Sequence, residues 1–269
     1  MSRLKISAIS YLNTAPLLWD FEHGEAPIDF DISYTTPFAC AEALRTGKAD
    51  IGIIPAAAYA TIPDLKIIPD VAIAAKRAVR SILLVSNVPI EQVRTVALDT
   101  SSMTSVALTK ILFAKWLGGA REYLPMSPDL EKMLANCDAA LLIGDPALQV
   151  DRTRHVTLDL AEEWIARTGK SFVFAFWAIR RDALAGRNAA SIVNTFKKSR
   201  ERGLRPDSLE TIVQDWAVRL SLSTQLIRTY LTHNIHYYLD PPSLEGLQLF
   251  YECGADLGVL PPPPDLEFA

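Results

Sequence analysis

Five hydroxyl side chains crowd one short stretch of this chain. Thr100, Ser101, Ser102, Thr104 and Ser105 follow directly on the apolar run Val96-Ala97-Leu98 and on Asp99. From Val106 to Leu117 apolar residues recur at helical spacing, and Gly118-Gly119 stops the pattern where a left-handed cap is accessible. The hydroxyls therefore fall where a strand turns into a helix. A helix start exposes unpaired N–H groups and the positive end of the helix dipole. Serine and threonine add donors that rotate towards a ligand. Such a junction suits a carboxylate or a phosphate. A capping role for Ser101 or Ser102 would account for one hydroxyl; the cluster holds more than a cap requires.

A second junction of this kind follows the strand expected over Leu4–Ile9. In Ser10-Tyr11-Leu12-Asn13-Thr14-Ala15-Pro16 the proline suits a first helical turn, and Ser10, Asn13 and Thr14 are the polar residues beside it. Asn13 either holds a ligand's carboxylate or hydroxyl, or caps the helix. Asp145, after the apolar run Ala139–Gly144, either positions a site or caps the turn at Pro146. Tyr59, in the apolar stretch Ala56–Ala60, either lines a pocket or packs in the core. Ser81 lies in the apolar run Val79–Ser86 and, on residue type alone, reads as a tolerated small residue. Its neighbour Arg80 points to the opposite face of that strand and reads as a surface ion pair. His233 and His236 share a helical segment with Tyr230, Tyr237 and Tyr238. Two histidines without a third ligand do not make a metal site, so these read as packing or surface.

The elements that must position these residues alternate between strand and helix, which argues for an α/β fold with mostly parallel sheets. Two long apolar runs, Val79–Ser86 and Phe172–Ile179, read as paired crossings between two lobes. Lobe one is then 1–86 with 178–269, and lobe two is 87–177. Ligands in open α/β sheets sit beyond the carboxyl ends of strands, which here means the cleft between lobes. No internal repeat is visible, and Pro261–Pro264 is expected to end all regular structure. The chain has 269 residues, 49% of them hydrophobic, and a formal net charge of -4, ample for a core and opposed to disorder. No dense Lys/Arg face suggests nucleic acid. No run reaches the roughly 20 apolar residues of a spanning helix. Cys40, Cys137 and Cys253 are scattered and odd in number, with no metal spacing, and a reducing cytoplasm fits them. The start, Met1-Ser2-Arg3-Leu4-Lys5-Ile6, shows no secretory pattern.

Several stretches together resemble the chorismate dehydratase family, the first enzymes of the futalosine route to menaquinone. They are Ile9–Leu17, Val79–Leu84, Val96–Leu108, Leu142–Asp145, Val173–Ala178 and Gly246–Tyr251. The resemblance spans nearly the whole chain and departs from the family at two places. Ala15 stands where a lysine is frequent, and Pro55-Ala56-Ala57-Ala58 lacks the more polar residues that often precede the tyrosine at Tyr59. The resemblance implies a two-lobed fold similar to type II periplasmic solute-binding proteins. It also implies loss of water from chorismate to give 3-[(1-carboxyvinyl)oxy]benzoate, with no metal or organic cofactor. Carried over residue by residue, it makes Asn13 and Ser81 the catalytic candidates. Ser10, Thr14, Tyr59, Thr100, Ser101, Ser102, Thr104, Ser105 and Asp145 become the substrate-binding candidates. Chorismate carries two carboxylates, which suits two helix starts. No histidine lies in a motif, so the substrate's own enolpyruvyl carboxylate is a candidate proton acceptor. Two alternatives share the fold: 1,4-dihydroxy-6-naphthoate synthase, which should show a catalytic histidine in a motif, and a solute-binding protein, which should be exported.

Overall fold

The computed structural model describes residues 3–269. Its ten strands arise from short apolar runs bounded by Gly, Pro or charged residues: β1 (Leu4–Ile9), β2 (Phe30–Thr35), β3 (Ile51–Pro55), β4 (Leu65–Ala75), β5 (Ile82–Ser86), β6 (Thr95–Asp99), β7 (Glu122–Met126), β8 (Ala139–Ile143), β9 (Val156–Asp159) and β10 (Phe172–Arg180). Every residue of β3, β5 and β8 is buried, as expected of strands covered by helices on both faces. Two sheets result, in the orders β2-β1-β3-β10-β4 and β7-β6-β8-β5-β9. In the first, β1 runs parallel to β2 and β3, and β10 lies antiparallel between β3 and β4. In the second, β6 runs parallel to β7 and β8, and β5 lies antiparallel between β8 and β9. The same arrangement therefore occurs twice, with β6, β7 and β8 standing for β1, β2 and β3. This repeat is absent from the residue pattern.

The two long apolar runs do not pair with each other. Each belongs to the sheet that it enters, β5 to the second and β10 to the first. The divisions expected after residue 86 and before residue 178 therefore fall at the end of β5 and inside β10. The chain changes sheet earlier, between Ala75 and Ile82, and returns between Asp159 and Phe172. The run Val79–Ser86 is broken because Arg80 takes a left-handed conformation, φ 66°, so Val79-Arg80-Ser81 is a connection and not strand. That conformation costs a non-glycine residue roughly 1–2 kcal/mol. One carboxylate holds it. Asp159 accepts the N–H groups of Val79 at 3.1 Å and Arg80 at 2.6 Å, and also those of Ala161 at 3.1 Å and Glu162 at 3.2 Å. It thereby caps the helix Leu160–Thr168 and ties the outgoing crossing to the returning one. The Arg80 side chain makes no ion pair with any described residue, so the expected surface pair does not form.

Two further strands carry irregularities of their own, and the tail differs from expectation. Residues 65–75 form one strand, bent where Asp70 is left-handed at φ 67° and the pairing with β10 slips. The edge strand β7 was hidden by Pro125, which an edge position tolerates. Beyond Pro261–Pro264 the tail rejoins the first sheet: Ile67 N–H donates to Glu267 O at 2.7 Å and Ala269 N–H to Ile67 O at 3.0 Å.

Replacing Asp159 by Ala strands several N–H groups at the crossing. Urea unfolding of Asp159→Ala should show a loss of about 3 kcal/mol, with Asp159→Asn losing less. An unchanged midpoint would show that the crossing does not depend on this carboxylate.

Candidate active site

Four of the helical segments that follow parallel strands come together between the sheets. The 3₁₀ turn Leu12–Leu18 follows β1, Ala56–Tyr59 follows β3, Thr104–Lys115 follows β6 and Gly144–Leu148 follows β8. The repeated sheet order makes the first equivalent to the third and the second equivalent to the fourth. They meet crosswise. Leu12 N–H donates to Asp145 Oδ1 at 3.0 Å, and Ala57 N–H donates to Thr104 Oγ1 at 3.1 Å. The Thr104 hydroxyl in turn donates to Phe174 O on β10 at 3.0 Å. In each clasp a side-chain oxygen of the second sheet satisfies an N–H that a helix start leaves unpaired in the first. Tyr11 adds a third link. Its ring lies on Gly144, where a Cβ would come within 2.6 Å of a ring carbon and where φ is 61°. The Tyr11 phenol lies near Ser101, whose hydroxyl donates to Asp99 Oδ1 at 2.7 Å. Burial raises the pKa of both the Tyr11 phenol and the Asp99 carboxyl, making each a weaker acid.

These links enclose a cavity of about 50 Å³. Ile9, Ile73, Ile82, Ile143 and Phe174 supply apolar walls; Asn13, Ser102 and Ser105 are the polar groups at its edge. No Lys, Arg or His lines it. Ser102 Oγ accepts the Ser105 N–H at 3.2 Å and keeps its own proton to donate. Ligand pockets usually enclose roughly 300–1,000 Å³, so a ligand enters only when the sheets move apart. Two wider spaces flank the cavity. One, of about 360 Å³, is lined by Ser10, Trp19 and Trp216; the other, of about 910 Å³, by Thr100, Ser101, Phe38 and Lys110. Tyr11 borders all three.

The expected site residues separate accordingly. Asn13, Ser102, Thr104 and Ser105 come together at the cavity, with the Thr104 hydroxyl committed to the clasp. Thr14 borders it, but its hydroxyl is held by Ile9 O at 2.6 Å and Tyr11 O at 2.7 Å. Ser10 and Thr100 are exposed and lie in the flanking spaces, and Ser101 serves Asp99 and Tyr11. Tyr59 is elsewhere: its hydroxyl donates to Asp265 O at 3.2 Å and accepts Glu267 N–H at 3.1 Å, fixing the tail. Ser81 is fully buried and does not line the cavity. Its Oγ accepts the Tyr230 hydroxyl at 2.8 Å, and its carbonyl accepts Gly144 N–H at 2.8 Å. The Asn13 side chain lies near the same Tyr230 phenol. Tyr11 and Tyr230 are thus the site residues that residue types did not disclose. Tyr11 stood between two polar candidates in its motif. Tyr230 is 149 positions from Ser81 and carries no local signal. Among the described residues no three His, Cys, Asp or Glu side chains gather in a metal-binding group.

A family model described as menaquinone biosynthesis matches residues 4–256. The chain is 30% identical over 261 residues to chorismate dehydratase of Thermus thermophilus, covering 90% of this chain and 92% of that protein. Among solved structures, an Archaeoglobus fulgidus protein superposes with a TM-score of 0.76 at 15% identity, over 96% of this chain and 98% of that one. The periplasmic aliphatic sulphonate binding protein SsuA from Escherichia coli gives 0.67 at 18% identity, over 99% and 96%. The fold is the two-lobed type II arrangement of periplasmic-binding-protein-like chains, as the sequence resemblance implied.

Burial pushes the Asp145 carboxyl from its ordinary 3.8 up to about 6, only partly offset by the Leu12 N–H. The folded protein then holds this proton more tightly than the unfolded chain does. Its stabilising effect is complete below about pH 4 and is lost as the pH rises through about 6. Thermal unfolding of Asp145→Asn should therefore gain on wild type as the pH is raised from about 4 to about 7. A constant difference across that range would contradict the assignment.

Proposed function

This chain belongs to the menaquinone-biosynthesis family, and on that premise we propose that it is a chorismate dehydratase, converting chorismate to 3-[(1-carboxyvinyl)oxy]benzoate and water. The observation that carries the reading is the likeness to the Thermus thermophilus enzyme over 90% of the chain. The cavity supports it. Apolar walls suit the ring, and Asn13, Ser102, Ser105 and the first turn of Thr104–Lys115 offer neutral donors to a carboxylate. A cytoplasmic location belongs to the same reading; among the described residues no helix is long and apolar enough to cross a membrane.

The reaction removes the ring hydrogen beside the ether oxygen together with the neighbouring hydroxyl. The C–H electron pair enters the ring, hydroxide leaves and takes up the released proton, and the ring becomes aromatic. The driving force lies in the substrate. The protein's task is to orient the dianion, assist departure of the hydroxyl and keep water and competing rearrangements out. Orientation alone contributes several kcal/mol. Asn13 is placed to hold the departing hydroxyl or the carboxylate beside it. No histidine lines the cavity: His23 stacks on Trp19 in a flanking space, and His236 Nε2 pairs with Asp240 Oδ2 at 2.9 Å. Proton transfer to the substrate's own enolpyruvyl carboxylate is consistent with that lining. The same point favours the dehydratase over the related naphthoate synthase.

Purified protein mixed with chorismate, with no metal added, should yield the enolpyruvyl benzoate, seen by mass spectrometry as loss of one water. Asn13→Ala should lower kcat by about 10²-fold, the scale of losing one preorganised donor. Chorismate that binds and stays intact would instead favour a solute-binding role for this fold.

A further inference from the structure

The cavity of about 50 Å³ adjoins two wide spaces, and a dianion reaches it through one of them. Their charges differ. Around the space of about 360 Å³ beside Trp19 and Trp216, the exposed carboxylates of Glu22 and Asp215 stand against two basic groups. These are the His23 imidazole and the Arg219 guanidinium, which lies 5.1 Å from the Trp216 ring centroid. Whatever state the imidazole takes, the balance there is not positive. The groove of about 910 Å³ is lined by one ammonium and one carboxyl group. The ammonium is Lys110, 5.5 Å from the Tyr123 ring centroid and in no ion pair among the described residues. The carboxyl is Asp99, fully buried, whose Oδ1 accepts the Ser101 N–H at 2.8 Å and hydroxyl at 2.7 Å. Its burial favours the neutral form, so the groove presents a positive field.

The helix that carries Lys110 also leads to the site. Ser102 precedes the helix Thr104–Lys115, and Thr104 and Ser105 open it. Met103, Val106 and Lys110, spaced by three and four, share one face, and all three line the groove. At 1.5 Å of rise per residue, Lys110 lies about 9 Å along the axis from Thr104. The apolar face between them gives a ring a surface to pass over and sets no anion in its way. Tyr11 and Ser102 border groove and cavity alike. Phe38 N–H donates to Ser101 O at 3.1 Å, joining the two sheets beside the groove, so parting the sheets opens the groove into the cavity.

We propose that the substrate enters by this groove and that Lys110 steers it, receiving the dianion before it passes on to Asn13, Ser102 and Ser105. The proposal rests on the dehydratase reading of the cavity. Lys110 takes no part in the reacting geometry; it acts on capture, and it favours substrates of two negative charges over those of one. A lysine that served only to keep the helix hydrated would suit any of its exposed positions. Lys110 lies instead on the face that lines the groove.

Steady-state kinetics with chorismate over a range of ionic strengths test the proposal. At low salt Lys110→Gln should lower kcat/KM about fourfold, the scale of removing one charge about 10 Å from a dianion, with kcat within about twofold of wild type. Lys110→Glu should lower it more than about tenfold, and Lys110→Arg should match wild type. The losses should vanish towards about 1 M salt, where the screening length is about 3 Å. Arg219→Gln, beside the other space, should follow wild type throughout. Unchanged kcat/KM in Lys110→Gln and Lys110→Glu at low salt, a loss that salt does not remove, or an equal loss in Arg219→Gln would overturn the proposal. Obstruction gives a second readout. Val106→Trp, which narrows the groove, should lower kcat/KM, and Thr211→Trp, which narrows the other space, should not; the reverse pattern would overturn the proposal. Wild-type protein that leaves chorismate intact would overturn the reaction and this inference together. An active wild type with an unimpaired Lys110→Glu would overturn this inference alone.

Discussion

Two backbone N–H groups, those of Leu12 and Ala57, govern this molecule. Each belongs to the start of a helical segment on the first sheet, where no intrahelical carbonyl is available. Each is accepted by a side-chain oxygen from the second sheet, Asp145 Oδ1 or Thr104 Oγ1. The repeated strand order makes the two contacts counterparts of one another, and between them lies the cavity. Closure of the cleft and construction of the site thus use the same atoms. Opening breaks these two hydrogen bonds, that from the Thr104 hydroxyl to Phe174 O and that from Phe38 N–H to Ser101 O, about 1 kcal/mol each in net terms. The rest follows from what these bonds consume. The Thr104 hydroxyl is spoken for on both sides and Asp145 Oδ1 on one, which leaves Asn13, Ser102 and Ser105 to face a ligand.

That remainder defines the electrostatics. No cation lines the cavity, and the polar groups that do are neutral, with Ser102 Oγ held by the Ser105 N–H. A dianion held this way depends on dipoles oriented in advance and on exclusion of water, not on ion pairing. Asp145, a carboxylate close by, is pushed towards its protonated form by the same burial. Lys110 stays outside, in the wide flanking groove, over the Tyr123 ring.

The junctions after β1 and β6 were legible because hydroxyl and amide residues gathered there against an apolar background, and both came to the cavity. Ser10 and Thr100 sat in the same stretches and did not, because sequence marks a junction and not which side of it faces inward. Tyr59 misled for a different reason: its partners, Asp265 and Glu267, are some two hundred positions away. The broken strand at Arg80 was illegible because an arginine does not announce a left-handed conformation as glycine or asparagine would. The change of sheet before Ile82 stayed unread with it. The duplicated sheet order stayed hidden because the antiparallel strand of each sheet comes from the opposite side of the other lobe. Tyr230 and Ser81 could be joined only by the fold.

The central claim is that chorismate reacts in the cleft between the two sheets, widened from the cavity seen here, with Asn13 and the hydroxyls of Ser102 and Ser105 around it. The most direct test is a crystal structure of the slow Asn13→Ala variant soaked with chorismate. The account predicts the two sheets further apart than here, the ring against Ile82 and Phe174, and a carboxylate within hydrogen-bond reach of Ser102, Ser105 and the first turn of Thr104–Lys115. Chorismate seated instead in the outer groove beside Lys110, with the inner cavity unaltered, would contradict it.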